Sequence, residues 1–257
     1  MGQLFNTILY EPIFNLLVFF YNVVPGNDLG VAIILLTIFI KLILYPLSKQ
    51  SIKGQKALQS LQPKIEQIKQ QYKTEKEKQA QALMALYKSE KINPLSSCLP
   101  LLIQLPFLFA VYRVFIEGLK SESLVVLYPF INNPGQLNPQ SLGFVDLSQP
   151  NLVLAFLAGL AQYWQAKMLQ TKAPPKGLPG AKDESMTAMM NKQMLYFMPI
   201  LTVVIGASLP GGLTLYWFVL TLLTALQQLL MFKKDGQGGK PTNPSPAVVN
   251  NGAEQQK

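Results

Sequence analysis

The chain has 257 residues, of which 49% are hydrophobic and 14% charged, and it carries a net charge of +9 at pH 7. Its apolar residues stand in long runs, which excludes an ordinary soluble domain and indicates an all-α polytopic membrane protein, while the basic residues between the runs point to cytoplasmic loops more simply than to nucleic acid. Histidine is absent, which removes His-based metal sites and the usual hydrolase triads, and the single cysteine, Cys98, excludes an internal disulfide.

The N-terminal segment, residues 1–27, has no basic residue and so no secretory leader pattern, and Asn6 stands where a myristoylation motif wants Ser or Thr. Within it, residues 8–24 are apolar, with Glu11, Pro12 and Asn15 near the start. They read either as a short span or as a helix lying in the interface. Only about 12 to 14 residues follow Pro12, a length that favours the interfacial reading. Pro25, Gly26, Asn27 and Asp28 signal a turn, with Asn27 or Asp28 placed to cap the next helix.

Leu29 to Leu47 is long enough to cross a bilayer, giving a first span over 28–48, yet it contains Lys41. A lysine at that depth costs about 2.5 to 3.5 kcal/mol. Thr37, Tyr45 and Ser48 fall at helical spacing from it, so one stripe of this span is polar. The lysine either snorkels to the headgroups or projects into a hydrated cavity that receives something polar. Its side chain should lean toward the N-terminus of the helix, away from the nearer interface, which weakens the snorkelling reading.

From Ser48 to Asn93 there are ten lysines and four glutamates, which assigns this stretch to the cytoplasm. Leu58, Leu61, Ile65, Ile68 and Tyr72 form a heptad-like seam, and Leu83, Leu86 and Tyr87 lie on a second helix after KTEKEK. The pattern predicts a helical hairpin over 49–92, kinked near Pro63, serving as a connector or as a basic docking surface for a ribosome.

Residues 94–118 form the second predicted span, holding Pro100, Gln104 and Pro106, with Arg113 near its outer end and Glu117 one turn on as a possible ion-pair partner. An outer loop over 119–149 follows, then a third span over 151–170 and a cytoplasmic loop over 171–189. A fourth span, 190–209, is methionine-rich at its inner end, as lipid-facing filler or as an adaptable surface for varied segments. Pro210, Gly211 and Gly212 turn the chain into a fifth span, 212–232, on which Thr214, Trp217, Thr221, Thr224 and Gln228 share a face. The tail, 235–257, has the composition of a disordered segment. Only Lys120 among the basic residues falls in a clear outer loop, so the N-terminus is expected outside and the C-terminus in the cytoplasm.

No Walker-type sequence and no paired intramembrane carboxylates occur. The chain is therefore expected to act without a cofactor or metal, by presenting a surface and not as an enzyme. A small anion transporter or channel using Lys41, and a non-catalytic assembly scaffold, are the competing classes. A transporter should show internal repeats, and none is found.

Four separated segments carry a family resemblance: TIFIKLILYPLSKQS, LQPKIEQIK, MALYKSEKINPLSSCLPLLIQLPFLFAVY and LPGGLTLYWFVLTLLTALQQ. In order and topology they resemble the bacterial YidC family of membrane protein insertases over residues 8–234, in its short form without the large periplasmic domain. The resemblance implies a core of five transmembrane helices over 28–234 with a mobile cytoplasmic helical hairpin and a hydrophilic groove open to the cytoplasm and lipid but closed outside; the N-terminal interfacial helix is the expectation from length given above. The implied groove residues are Lys41, where the family usually has arginine, with Thr37, Gln104, Tyr216 and Trp217. A plain interhelical hydrogen bond is the alternative role of Gln104. Lysine keeps the charge but loses arginine's bidentate fork. The implied partners are nascent membrane proteins, the ribosome, the Sec translocon and membrane lipid, with no small-molecule substrate, in the bacterial plasma (inner) membrane.

Overall fold

Pro12 removes a helical donor and its ring crowds the carbonyl four residues back, so a helix passing through it has to accommodate the misfit. In the computed structural model, which describes residues 2–93, 99–116, 121–169 and 193–236, the chain does so with a π-helical turn. α1 (Gly2–Phe5) leads into this turn (Asn6–Tyr10) and then directly into α2 (Glu11–Val23). The apolar helix from Gln3 to Val23 is therefore 21 residues long, longer than its sequence reading, which counted only from Pro12. Four of its side-chain hydrogen bonds reach one loop: Asn15 donates to the carbonyl of Val126 and accepts from the N–H of Tyr128, Asn22 donates to Asn132, and the Tyr21 hydroxyl accepts from Asn138.

Gly26 and Asn27, both at positive φ, turn the chain into α3 (Leu29–Ile43). Asp28 caps this helix by accepting from the N–H of Val31 at 2.9 Å. At Leu44 the chain bends by 69° into α4 (Tyr45–Gln71), whose first turn holds Pro46. The 69° bend thus lies at Leu44, and α4 continues through Pro63. α5 (Lys76–Ser89) runs back along α4, with Lys64 paired to Glu90 at 2.5 Å and Gln79 bonded to the carbonyl of Lys69. Leu61 and Ile65 of the predicted seam are buried.

α6 (Leu99–Ile116) follows, and Arg113 near its end donates to Asn6 Oδ1 at 2.6 Å and lies over the ring of Tyr10. Its expected partner Glu117 is outside the described residues. The loop beyond contains a small hairpin, β1 (Gln140–Ser141) antiparallel to β2 (Val145–Asp146). α7 (Leu152–Leu169) packs against α8 (Met198–Gly206), which continues a π-helical turn at Gln193–Phe197, and against α9 (Gly211–Gly236). Small residues on α7, Ala155, Ala158 and Gly159, permit this close approach; a Cβ on Gly159 would run into Val203.

By length and apolarity, Gln3–Val23, Leu152–Leu169 and Gly211–Lys233 can each cross a membrane, and the bent α3–α4 pair makes a fourth candidate. The described apolar parts of the expected second and fourth spans, Leu102–Ile116 and Gln193–Gly206, are shorter. The predicted loop over 171–189 and nearly all of the predicted tail lie outside the described residues. So do Met186, Met189 and Met190 of the methionine-rich stretch, whereas Met194 and Met198 are exposed.

Candidate functional site

Two polar stripes on different helices can satisfy one another only if the helices face each other, and α3 and α9 do. Lys41 Nζ donates to Thr224 Oγ1 at 2.8 Å, and the Thr224 hydroxyl passes its own proton to the carbonyl of Leu220 at 2.7 Å. The ammonium has three donors, and its hydrogen bond in the structure uses one. Among the described residues no carboxylate accompanies it, for those that line the adjoining cavity include no Asp or Glu.

That cavity has a volume of about 260 Å³ and is partly open. Lys41 and Ile40 of α3 line one side, and Trp217, Thr221, Thr224 and Gln228 of α9 the other. Gln104 of α6, Gln165 of α7 and Ser48, Ser51 and Gln55 of α4 complete the polar wall. The 69° bend brings α4 beneath the space that α3 leaves, and α4 is tied to α9 there: Ser48 bonds with Gln227, Gln228 donates to Gln55 at 3.3 Å, and Lys56 lies over the ring of Phe232. Gln228 is 1% exposed, and its Oε1 has no partner among the described residues. The wall thus keeps an unused acceptor as well as a cation.

On the same helices the other end is apolar. Leu29, Ile33 and Leu36 of α3, Val111 and Val114 of α6, and Leu213 of α9 join Phe14 and Leu17 of α2 in one buried cluster. The polar space therefore ends against a packed apolar layer, and the loop over 121–149 lies beyond it.

Of the five residues singled out from the sequence, Lys41, Gln104 and Trp217 line the cavity. Thr37 does not: it is fully buried at 0% exposure, and its hydroxyl donates to the carbonyl of Ile33 at 2.7 Å. Tyr216, also at 0%, stands behind the wall, where its hydroxyl accepts from Gln104 Nε2 at 2.6 Å and fixes that amide. Gln104 thus has the interhelical bond and the cavity position together. The sequence reading missed Ser51, Gln55 and Gln165. Extending the Thr37–Lys41–Ser48 spacing by three and seven residues would have reached Ser51 and Gln55.

A family profile described as 60Kd inner membrane protein matches residues 19–237. The chain belongs to this family. The 60Kd inner membrane protein match contains every one of the five residues above and both helices of the Lys41–Thr224 contact. The chain is 36% identical over 228 residues to the "Membrane protein insertase YidC" of Magnetococcus marinus, covering 88% of this chain and 36% of that protein. It is 34% identical over 226 residues to the protein of the same name from Tolumonas auensis, covering 87% and 36%. Among solved structures it resembles an "Active YidC insertase crystal structure with the first transmembrane domain resolved", with a TM-score of 0.53 at 29% identity, covering 87% of this chain and 46% of that one. The chain thus spans little more than a third of the length of these curated relatives. Membership of an inner membrane protein family, with several membrane-crossing helices, makes it a multi-pass membrane protein.

Proposed function

We propose that this chain is a membrane protein insertase that receives the polar flank of a nascent hydrophobic segment in the Lys41 cavity and releases the segment into lipid. The observation that carries this reading is an ammonium with no carboxylate partner among the described residues, in a polar-walled space that ends against an apolar layer. A short acidic tail entering that space meets a cation, hydroxyls and amides, so it leaves water only for the outer part of its crossing. The apolar segment follows into the bilayer, gaining roughly 0.3 to 0.6 kcal/mol for each Leu, Ile, Phe or Val residue, and no nucleotide is needed.

In this reading the ten lysines of residues 48–93 hold α4 and α5 in the cytoplasm, where they form a basic surface for the ribosome, and the Sec translocon is a further partner. The N-terminus is outside and the C-terminus inside, with five spans in the bacterial inner membrane. α2 lies across the outer ends of the bundle, because Asn15, Tyr21 and Asn22 all meet the loop over 121–149. Lys41, Gln104 and Trp217 contact the client, while Thr37 and Tyr216 support them from behind.

The test is reconstitution of the purified chain into liposomes with a single-spanning client bearing a short acidic tail, read by protease protection. Protection above that in empty liposomes is the expected result. Anion flux without protection would instead make Lys41 a small-anion site, and neither signal would leave a scaffold.

A further inference from the structure

The turn that joins β1 and β2 runs through Leu142 and Gly143, both left-handed, with φ of 53° and 78°, and closes with the N–H of Phe144 on the carbonyl of Ser141. Successive left-handed residues are the mark of the primed hairpin turns, which select Asn or Asp followed by Gly. Leucine at the first position is strained, because its Cβ crowds the backbone there. The same side chain is 68% exposed, and Phe144 beside it is 79% exposed. Folding in water gains nothing from either choice.

The depth of this turn is fixed by Asp28. Its carboxylate accepts from the Ser141 hydroxyl at 2.8 Å and from the Leu142 N–H at 2.5 Å, while it caps α3 through Val31. Asp28 directly precedes the apolar run of α3, so the turn sits at the level where that run begins. Eight residues after Phe144, α7 begins with Leu152 and Val153, both strongly exposed and apolar. No lysine or arginine occurs between residues 121 and 149.

We infer that the Leu142–Phe144 turn is a lipid anchor, whose two apolar side chains enter the interfacial layer of the bilayer on the side where α3 starts. Its occupant is lipid. The apolar tip is continuous in level with the membrane-crossing surface, and its lack of cations gives an acidic or nucleic-acid partner nothing to hold. In an apolar phase the exposure of Leu142 and Phe144 becomes favourable, which offsets the left-handed strain. Through Asp28 the anchor is joined to the N-terminus of the helix that carries Lys41, so it sets the height of α3 in the membrane. This assignment does not depend on the insertase reading.

The test uses the full chain with Cys98→Ser and a nitroxide on Phe144→Cys, reconstituted in phosphatidylethanolamine–phosphatidylglycerol vesicles. Labels at Val153→Cys and Gln136→Cys serve as the lipid and water comparators. Collision with oxygen and with a water-soluble nickel chelate should place position 144 with position 153, at least fivefold less accessible to the chelate than position 136. Chelate accessibility equal to that at 136 would overturn the anchor. Protection that disappears on dilution to one chain per vesicle would overturn it in favour of a second copy. As a separate measurement, Leu142→Asn should leave the detergent melting temperature unchanged or raised while making position 144 more accessible to the chelate. A lower melting temperature, or no change in depth, would show that Leu142 serves packing instead.

Discussion

Replacing Lys41 by glutamine removes the charge while leaving an amide able to donate to Thr224. A client carboxylate that enters the cavity comes within about 4 Å of the ammonium, where a unit charge pair is worth about 1 kcal/mol in water and about 4 kcal/mol at an effective dielectric constant near 20. The cavity is partly open and polar-walled, which places the attraction between these limits. About 1.4 to 2.8 kcal/mol follows, equivalent to a ten- to hundredfold weaker capture of an acidic tail. The assay is insertion into proteoliposomes of two clients that differ only in having aspartate or asparagine in the tail, each with the wild-type chain and with Lys41→Gln. The aspartate client should lose insertion by that factor, and the asparagine client should change less than threefold. Thermal unfolding in detergent should be unaffected, since among the described residues no carboxylate loses its partner. An equal loss for both clients would make Lys41 a structural residue, and no loss for either would refute the electrostatic argument.

Asp28→Ala should destabilise the chain by about 1 to 2 kcal/mol, because it removes a helix cap as well as the ties to Ser141 and Leu142; thermal unfolding and protease cleavage of the loop measure this. In the same loop Asp146 is held below the usual carboxylate range by the hydroxyl and N–H of Ser148. Its contribution is complete above the ordinary value of 3.8 and is lost as the pH falls through the lower folded value, so loop protection in hydrogen exchange should decline only in strong acid. Gly159→Ala should cost about 1 to 3 kcal/mol of thermal stability, as its methyl meets Val203 in the α7–α8 contact. Deleting residues 60–88 should impair insertion while the remaining helices keep their circular-dichroism signal, and normal insertion would reduce the α4–α5 pair to a connector.

The polar stripes were legible because a helix repeats: Lys41 on one run and Thr224 and Gln228 on another were each set by 3- and 4-residue spacing, and they meet across the cavity. Spacing does not say where a hydroxyl sends its proton. Thr37 shares the stripe of Lys41, but its donor reaches the carbonyl of Ile33 within its own helix, so it needs no polar surroundings. Likewise Tyr216 and Trp217 are adjacent in sequence and therefore about 100° apart on the helix, which lets only one of them face the cavity. The bend at Leu44 was hidden inside an apolar run, and the helix through Pro12 depends on a π turn that no residue pattern announces. Gln55 was missed because it belongs by composition to the lysine-rich stretch expected as a hairpin and reaches the cavity only after the bend.

The bend also makes α4 a lever. Its fulcrum is Leu44, its short arm ends at Gln55 about 17 Å away under the cavity, and its long arm ends near Gln71 at about 41 Å. A load that shifts the far end by about 5 Å moves Gln55 by only about 2 Å. That stroke is comparable to the reach of a hydrogen bond, enough to part Gln55 from Gln228 and to widen the floor beneath Lys41. Mechanical advantage thus runs from the lysine-rich end toward the cavity: a large, weakly resisted swing becomes a small, forceful opening.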